Sequence, residues 1–140
     1  VAAAWLAACG GTTTPAGTTL RPGYYIGISS MAYSPLNLAA PAGSTVTVIN
    51  RDAMNHSVTS QAAPGSFTPG AAAGAPFDTG LFTGSRTFRI PAGLADGTVL
   101  HYYCSSHGSL MATPNGTITI DSTAGVGPAP AGGGGVGGGY

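Results

Sequence analysis

The stretch Thr98–Met111, TVLHYYCSSHGSLM, carries two signals at once. Its first half, Thr98 to Cys104, is a run of β-branched and aromatic residues of the length that forms a strand. Side chains alternate along a strand, so Tyr102 and Cys104 share one face while His101 and Tyr103 take the other. The second half cannot continue it. Ser105-Ser106 and Gly108-Ser109 force a tight loop, which returns His107 and Met111 toward Cys104. His101 points away and is read as an outward strand residue.

Upstream, Ser44–Asn50 (STVTVIN) alternates cleanly, with Val46 and Val48 on one face, and leads through Arg51-Asp52 to His56. Tyr24–Ser29, Tyr33–Ala39, Phe77–Phe82, Ser85–Ile90 and Gly116–Asp121 are further strand-like runs, with Pro35 confining the second to an edge or bulge. Ala62–Pro76, rich in Ala, Gly and Pro, reads as a long surface loop. Short strands broken by glycine and proline, with no long helical period, predict an all-β protein built as an antiparallel β-sandwich.

Charge is nearly absent. Four arginines balance four aspartates, there is no lysine or glutamate, and the formal net charge is zero. A neutral chain lacks the basic face that nucleic acid requires, and it offers little electrostatic steering toward a charged partner. No apolar run approaches the roughly 20 residues of a membrane-spanning helix.

Two imidazoles (His56 and His107), the Cys104 thiolate and the Met111 thioether make up the ligand set of a mononuclear blue-copper centre. Two histidines and a thiolate suit a trigonal site, and a long, weak thioether tunes it. Met54 lies on the same side as His56 if that segment is regular, and it rivals Met111 for the axial position. A structural zinc site fits less well, because zinc favours four closed ligands and the fourth here is a weak thioether. A cysteine–histidine nucleophile lacks an orienting group. Three histidines in all, counting His101, are too few for a multicopper oxidase. A metal-free sandwich would leave four ligand-type residues converging by chance.

These stretches resemble the small blue-copper proteins of the plastocyanin, pseudoazurin and amicyanin group. The likeness lies in AGSTVTVINRDAMNHSV, FDTGLFTGSRTFRIP and TVLHYYCSSHGSLM followed by GTITI. The group's pattern, a lone histidine, then Cys-x-x-His and a nearby methionine, falls on His56, Cys104, His107 and Met111. The resemblance implies the cupredoxin fold, a Greek-key β-sandwich over residues 21–121. It also implies one type 1 copper ion and electron transfer to transient redox partner proteins by a monomeric carrier rather than an enzyme. An extracytoplasmic protein that sequesters or delivers copper would use the same ligands. The three-residue gap between His107 and Met111 departs from the group's usual spacings. Ser57 stands where relatives often carry Asn, and its hydroxyl or the Asn55 amide is expected to brace the ligand loop. The resemblance also makes His107 the electron port, Leu110 and Pro114 an apolar docking collar, and outward-facing Tyr103 a second route.

At the amino end, Leu6-Ala7-Ala8-Cys9 resembles a bacterial lipobox at the close of a signal peptide (residues 1–9). That reading predicts an extracytoplasmic protein tethered through a lipid anchor at Cys9. Residues 10–20 read as a flexible linker and residues 122–140 as a disordered Gly/Pro-rich tail.

Overall fold

Valines and isoleucines at alternating positions supply the inner faces of two sheets. The structure, a computed structural model, describes residues 20–71 and 76–130. The segment around Cys9, the linker up to residue 19 and the tail from residue 131 lie outside the described residues. Eight strands follow in order: β1 (Tyr24–Ser29), β2 (Ala32–Ser34), β3 (Asn37–Ala40), β4 (Thr45–Asn50), β5 (Thr59–Ser60), β6 (Gly84–Arg89), β7 (Val99–Tyr103) and β8 (Gly116–Ile120). One sheet runs β2-β1-β4-β6 and the other β3-β8-β7-β5.

Ile26, Ile28, Val46 and Val48 from the first sheet and Leu100, Tyr102, Ile118 and Ile120 from the second are all buried in one core. Each such side chain contributes roughly 1.5–3 kcal/mol on leaving water. Strand β8 shows the expected period of two, its buried residues Gly116, Ile118 and Ile120 alternating with half-buried threonines. A β-sandwich is what the sequence predicts.

Four details differ. The sheets are mixed rather than antiparallel, since β1 pairs with β4 and β3 with β8 in parallel. The chain leaves the first sheet after β2, forms β3 in the second, and returns as β4 alongside β1. The expected Tyr33–Ala39 strand is split at Pro35-Leu36 into β2 and β3, one in each sheet. Phe77–Phe82 makes only isolated bridges, Asp78 to Thr59 and Phe82 to His56. There Asp78 Oδ1 accepts the Gly80 N–H at 2.8 Å and Gly80 takes a positive φ of 71°, which turns the chain out of extension.

The fourth difference is the tail. Residues 122–130 pack on the sandwich instead of being disordered. Gly23 and Gly127 exchange two backbone hydrogen bonds of 2.8 and 2.9 Å. The Tyr24 hydroxyl donates to Ala124 O at 2.7 Å, and Arg51 donates to Pro130 O at 2.9 Å. Pro130 sits so close over Gly27 that a Cβ there would meet it at 3.1 Å. Backbone groups hold this strap, which is why its low-complexity composition concealed it.

Candidate metal centre

His56 reaches the end of the sandwich through a loop folded around one buried amide. Asn50, the last residue of β4, donates from Nδ2 to Met54 O (2.9 Å) and Phe82 O (2.7 Å), and its Oδ1 accepts the Asp52 N–H at 3.0 Å. His56 then exchanges backbone hydrogen bonds with Phe82 in both directions, at 3.1 and 3.0 Å. Its side chain is wholly buried.

Cys104 directly follows β7 and is itself buried. Its carbonyl accepts the N–H groups of His107 (3.3 Å) and Gly108 (2.8 Å), and Gly108 closes the turn with a φ of 51°. A single 3-10 turn, Gly108–Leu110, then delivers Met111. The loop that the serines and glycine imply therefore forms, and it brings His107 beside the thiol.

The Cys104 Sγ lies 3.6 Å from His56 Nδ1 and 3.4 Å from His107 Nδ1. The ligand atoms of the three residues all fall within 4.8 Å of one another, and the two imidazole rings tilt by 50° with centroids 4.7 Å apart. A metal bound at ~2.0–2.1 Å by nitrogen and ~2.3 Å by sulfur, with angles of about 110–120°, holds such donors roughly 3.6–3.8 Å apart. The site is already near that spacing. Burial pushes the Cys104 thiol up, but hydrogen bonds to Ser106 and His107 and the backbone at Ser57 and Ser106 outweigh it, so the thiol lies below its ordinary range. A thiol so placed gives up its proton readily to become a ligand.

The methionines separate by exposure. Met111 is 3% exposed and packs in the same core as Cys104. Met54 is 51% exposed, and only its carbonyl serves the loop. Met31 lies against the core, half-buried. His101 is not part of the convergent trio, in keeping with strand alternation.

Several supporting groups surround the three ligand-type residues. Ser57 Oγ accepts the Ser105 N–H at 2.9 Å and so takes the bracing role expected of it or of Asn55. It continues through Thr59 Oγ1 (2.8 Å) to Asp78 Oδ1 (2.8 Å). Ser106 Oγ lies 3.0 Å from His107 Nδ1 and 3.4 Å from Cys104 Sγ. Asp52 Oδ2 meets the other nitrogen of His56, Nε2, at 2.9 Å. An aspartate four residues before a ligand-type histidine, in a turn, was the available clue.

Tyr103 corrects one expectation. It does leave the inner face, but it is only 4% exposed. The loop after β5 doubles back, with Ala62 N bonded to Thr68 O, and lays Phe67 edge-on to Tyr103 at 6.1 Å. The buried Gln61 pins that loop, accepting Phe67 N–H at 3.2 Å while donating to Tyr102 O (3.2 Å) and Asn115 Oδ1 (2.8 Å). In the ligand loop His107 is half-buried and Leu110 is 75% exposed.

No family model matches the chain, and neither does any curated protein. Solved structures of amicyanin do. The reduced Cu(I) form at pH 4 of one amicyanin point mutant aligns over 74% of this chain and 87% of its own, at 19% identity and a TM-score of 0.51. The oxidized state of another point mutant aligns over 71% and 83%, at 22% identity and the same TM-score. The chain has the cupredoxin β-sandwich fold.

Proposed function

We propose that this chain is a type 1 copper electron-transfer protein in which His56, Cys104, His107 and Met111 would hold one copper ion. The observation that carries the reading is the convergence of a ring nitrogen from each of His56 and His107 with the Cys104 Sγ, all within 4.8 Å, at one end of the sandwich. One thiolate, two imidazoles and a buried thioether form a soft donor set that suits copper better than zinc. Bound there, copper supplies a one-electron Cu(I)/Cu(II) couple.

The protein's own groups do the rest. The buried end of the sandwich keeps bulk water from His56 and Cys104, and Ser57 and Asn50 hold the two ligand loops in place. That rigidity favours one donor arrangement for both oxidation states and so keeps rearrangement small. His107, half-buried, carries the electron in from a donor protein and out to an acceptor. Leu110 and Pro114 form the apolar rim on which those partners dock. Neither step makes or breaks a bond, so the protein acts as a carrier and not as an enzyme.

The test is spectroscopic. Full-length protein is loaded with Cu(II), and its visible and EPR spectra are recorded beside a Cys104→Ser variant. An intense thiolate-to-copper band with a narrow copper hyperfine splitting, lost in the variant, supports the reading. A colourless protein that takes zinc equally well overturns it. Placement outside the cytoplasm through a lipid on Cys9 is part of the proposal and rests on the sequence alone. Metabolic labelling with a fatty acid in a bacterial host, abolished by Cys9→Ala, would support it; an unlabelled protein would end it.

A further inference from the structure

Asp52 makes three hydrogen bonds with one carboxylate. Oδ2 lies 2.9 Å from His56 Nε2, Oδ1 accepts the Ser30 N–H at 2.6 Å, and Oδ2 accepts the Met31 N–H at 2.9 Å. An ionised carboxylate only accepts, so the His56 proton sits on Nε2 and the lone pair on Nδ1. That lone pair faces Cys104 Sγ at 3.6 Å. Because the His56 side chain is 0% exposed, solvent offers Nε2 no alternative partner.

The other two bonds fix where the carboxylate stands. Ser30 and Met31 form the turn between β1 and β2 with φ of 54° and 63°, a left-handed conformation that non-glycine residues rarely adopt in succession. Asp52 satisfies both N–H groups of that turn. The Met31 carbonyl in turn accepts the Ala112 N–H at 2.7 Å, next to Met111. One carboxylate thus couples the ring of His56 to a turn that also holds the far end of the Cys104–Met111 loop.

We propose that Asp52 is a positioning residue of the metal centre, fixing the tautomer and angle of His56 and strengthening it as a donor to the oxidised ion. Carboxylate–imidazole–metal triads raise ligand basicity and orient the ring. A negative charge one ring away favours Cu(II) over Cu(I), so Asp52 lowers the reduction potential. This rests on the copper reading above.

The experiment compares full-length protein with Asp52→Asn and Asp52→Ala. Asp96→Asn serves as a control for loss of one negative charge, since Asp96 bonds Ser122 in the turn before β7, away from Cys104. Nitrogen-15 NMR of the metal-free protein reads the ring directly. The His56 Nε2–H is expected as a slowly exchanging signal in the parent and in Asp96→Asn, and it is lost in Asp52→Ala. Voltammetry of the copper form reads the potential. In both Asp52 variants the preference for Cu(II) over Cu(I) is expected to fall at least tenfold, a rise of about 59 mV for one electron. Asp96→Asn is expected to leave it unchanged.

If the Asp52 variants melt lower but keep the potential and the Nε2–H signal, Asp52 only anchors the turn and the proposal fails. Should Asp52→Ala not fold, Asp52→Asn, which keeps an acceptor oxygen, decides through the potential. A parent protein that forms no coloured copper complex overturns the copper reading and the claim about potential. The metal-free spectrum then still decides whether Asp52 sets the ring.

Discussion

The Ser57 hydroxyl accepts the Ser105 N–H at 2.9 Å, tying the residue after His56 to the residue after Cys104. Beyond Ser57 lie Thr59 and then the Asp78 carboxylate, each step 2.8 Å. A carboxylate cannot donate, so Thr59 gives its proton to Asp78, and the one Ser57 hydroxyl proton is shared between Thr59 Oγ1 and Ser105 Oγ, 3.1 Å away. The lone pairs of Ser57 are then free for Ser105. Ser57→Ala leaves that N–H without its acceptor and should destabilise the metal-free protein by about 1–3 kcal/mol, measured by urea unfolding. An unchanged midpoint would mean that water replaces the hydroxyl without loss.

Tyr102 and Gly116 form a second pair with opposite expectations. The Tyr102 hydroxyl is buried and has no hydrogen-bond partner among the described residues, so Tyr102→Phe should be neutral or stabilising, within about 1 kcal/mol. Its ring lies across Gly116, where a Cβ would collide with Cζ. Gly116→Ala should therefore cost about 3 kcal/mol or more, since neither the ring nor β8 has room to shift. Thermal melts of the two variants check both. A Gly116→Ala protein that melts normally would refute the contact.

The strap of residues 122–130 should matter to stability. Ending the chain at Asp121 removes the hydrogen bonds that tie the strap down, among them the two between Gly23 and Gly127, those to Ala124 and Pro130, and the two from Ser122 to Asp96. At about 1 kcal/mol net for each fully protected bond, and less for the exposed ones, the loss is about 2–4 kcal/mol. Calorimetry of chains ending at 121 and at 130 measures it. Equal melting points would show that the strap lends nothing.

Leu110, three-quarters exposed beside His107, tests the docking rim. Leu110→Asp should slow electron exchange with the physiological partner by tenfold or more while leaving the copper spectrum intact. A stopped-flow rate equal to the parent's would remove Leu110 from the interface.

Much of this was legible in the sequence, for definite reasons. Val46, Val48, Ile118 and Ile120 declare their strands because a period of two admits few readings. Cys104 and His107 declare a shared loop because they lie three residues apart with serines between them. What stayed hidden depends on contacts between distant segments. Nothing local in Phe67 announces that it covers Tyr103, and nothing in Gly127 announces a bridge to Gly23. Parallel pairing of β1 with β4 was equally silent, since alternation fixes the face of a strand and not its neighbour. Asp52 was passed over because a carboxylate in a turn usually faces solvent. Its role follows only from the fold of the β1–β2 turn above it.

Phe67 has a last consequence. With Tyr103 sealed beneath it, the proposed centre would keep, among the described residues, the ring edge of His107 as its way in and its way out. For the electron carrier proposed above, a donor and an acceptor would then compete for one rim, and the protein would work like a turnstile, releasing one partner before it could admit the next. Turnover between two such partners would follow a ping-pong pattern, in which an excess of either one crowds out the other.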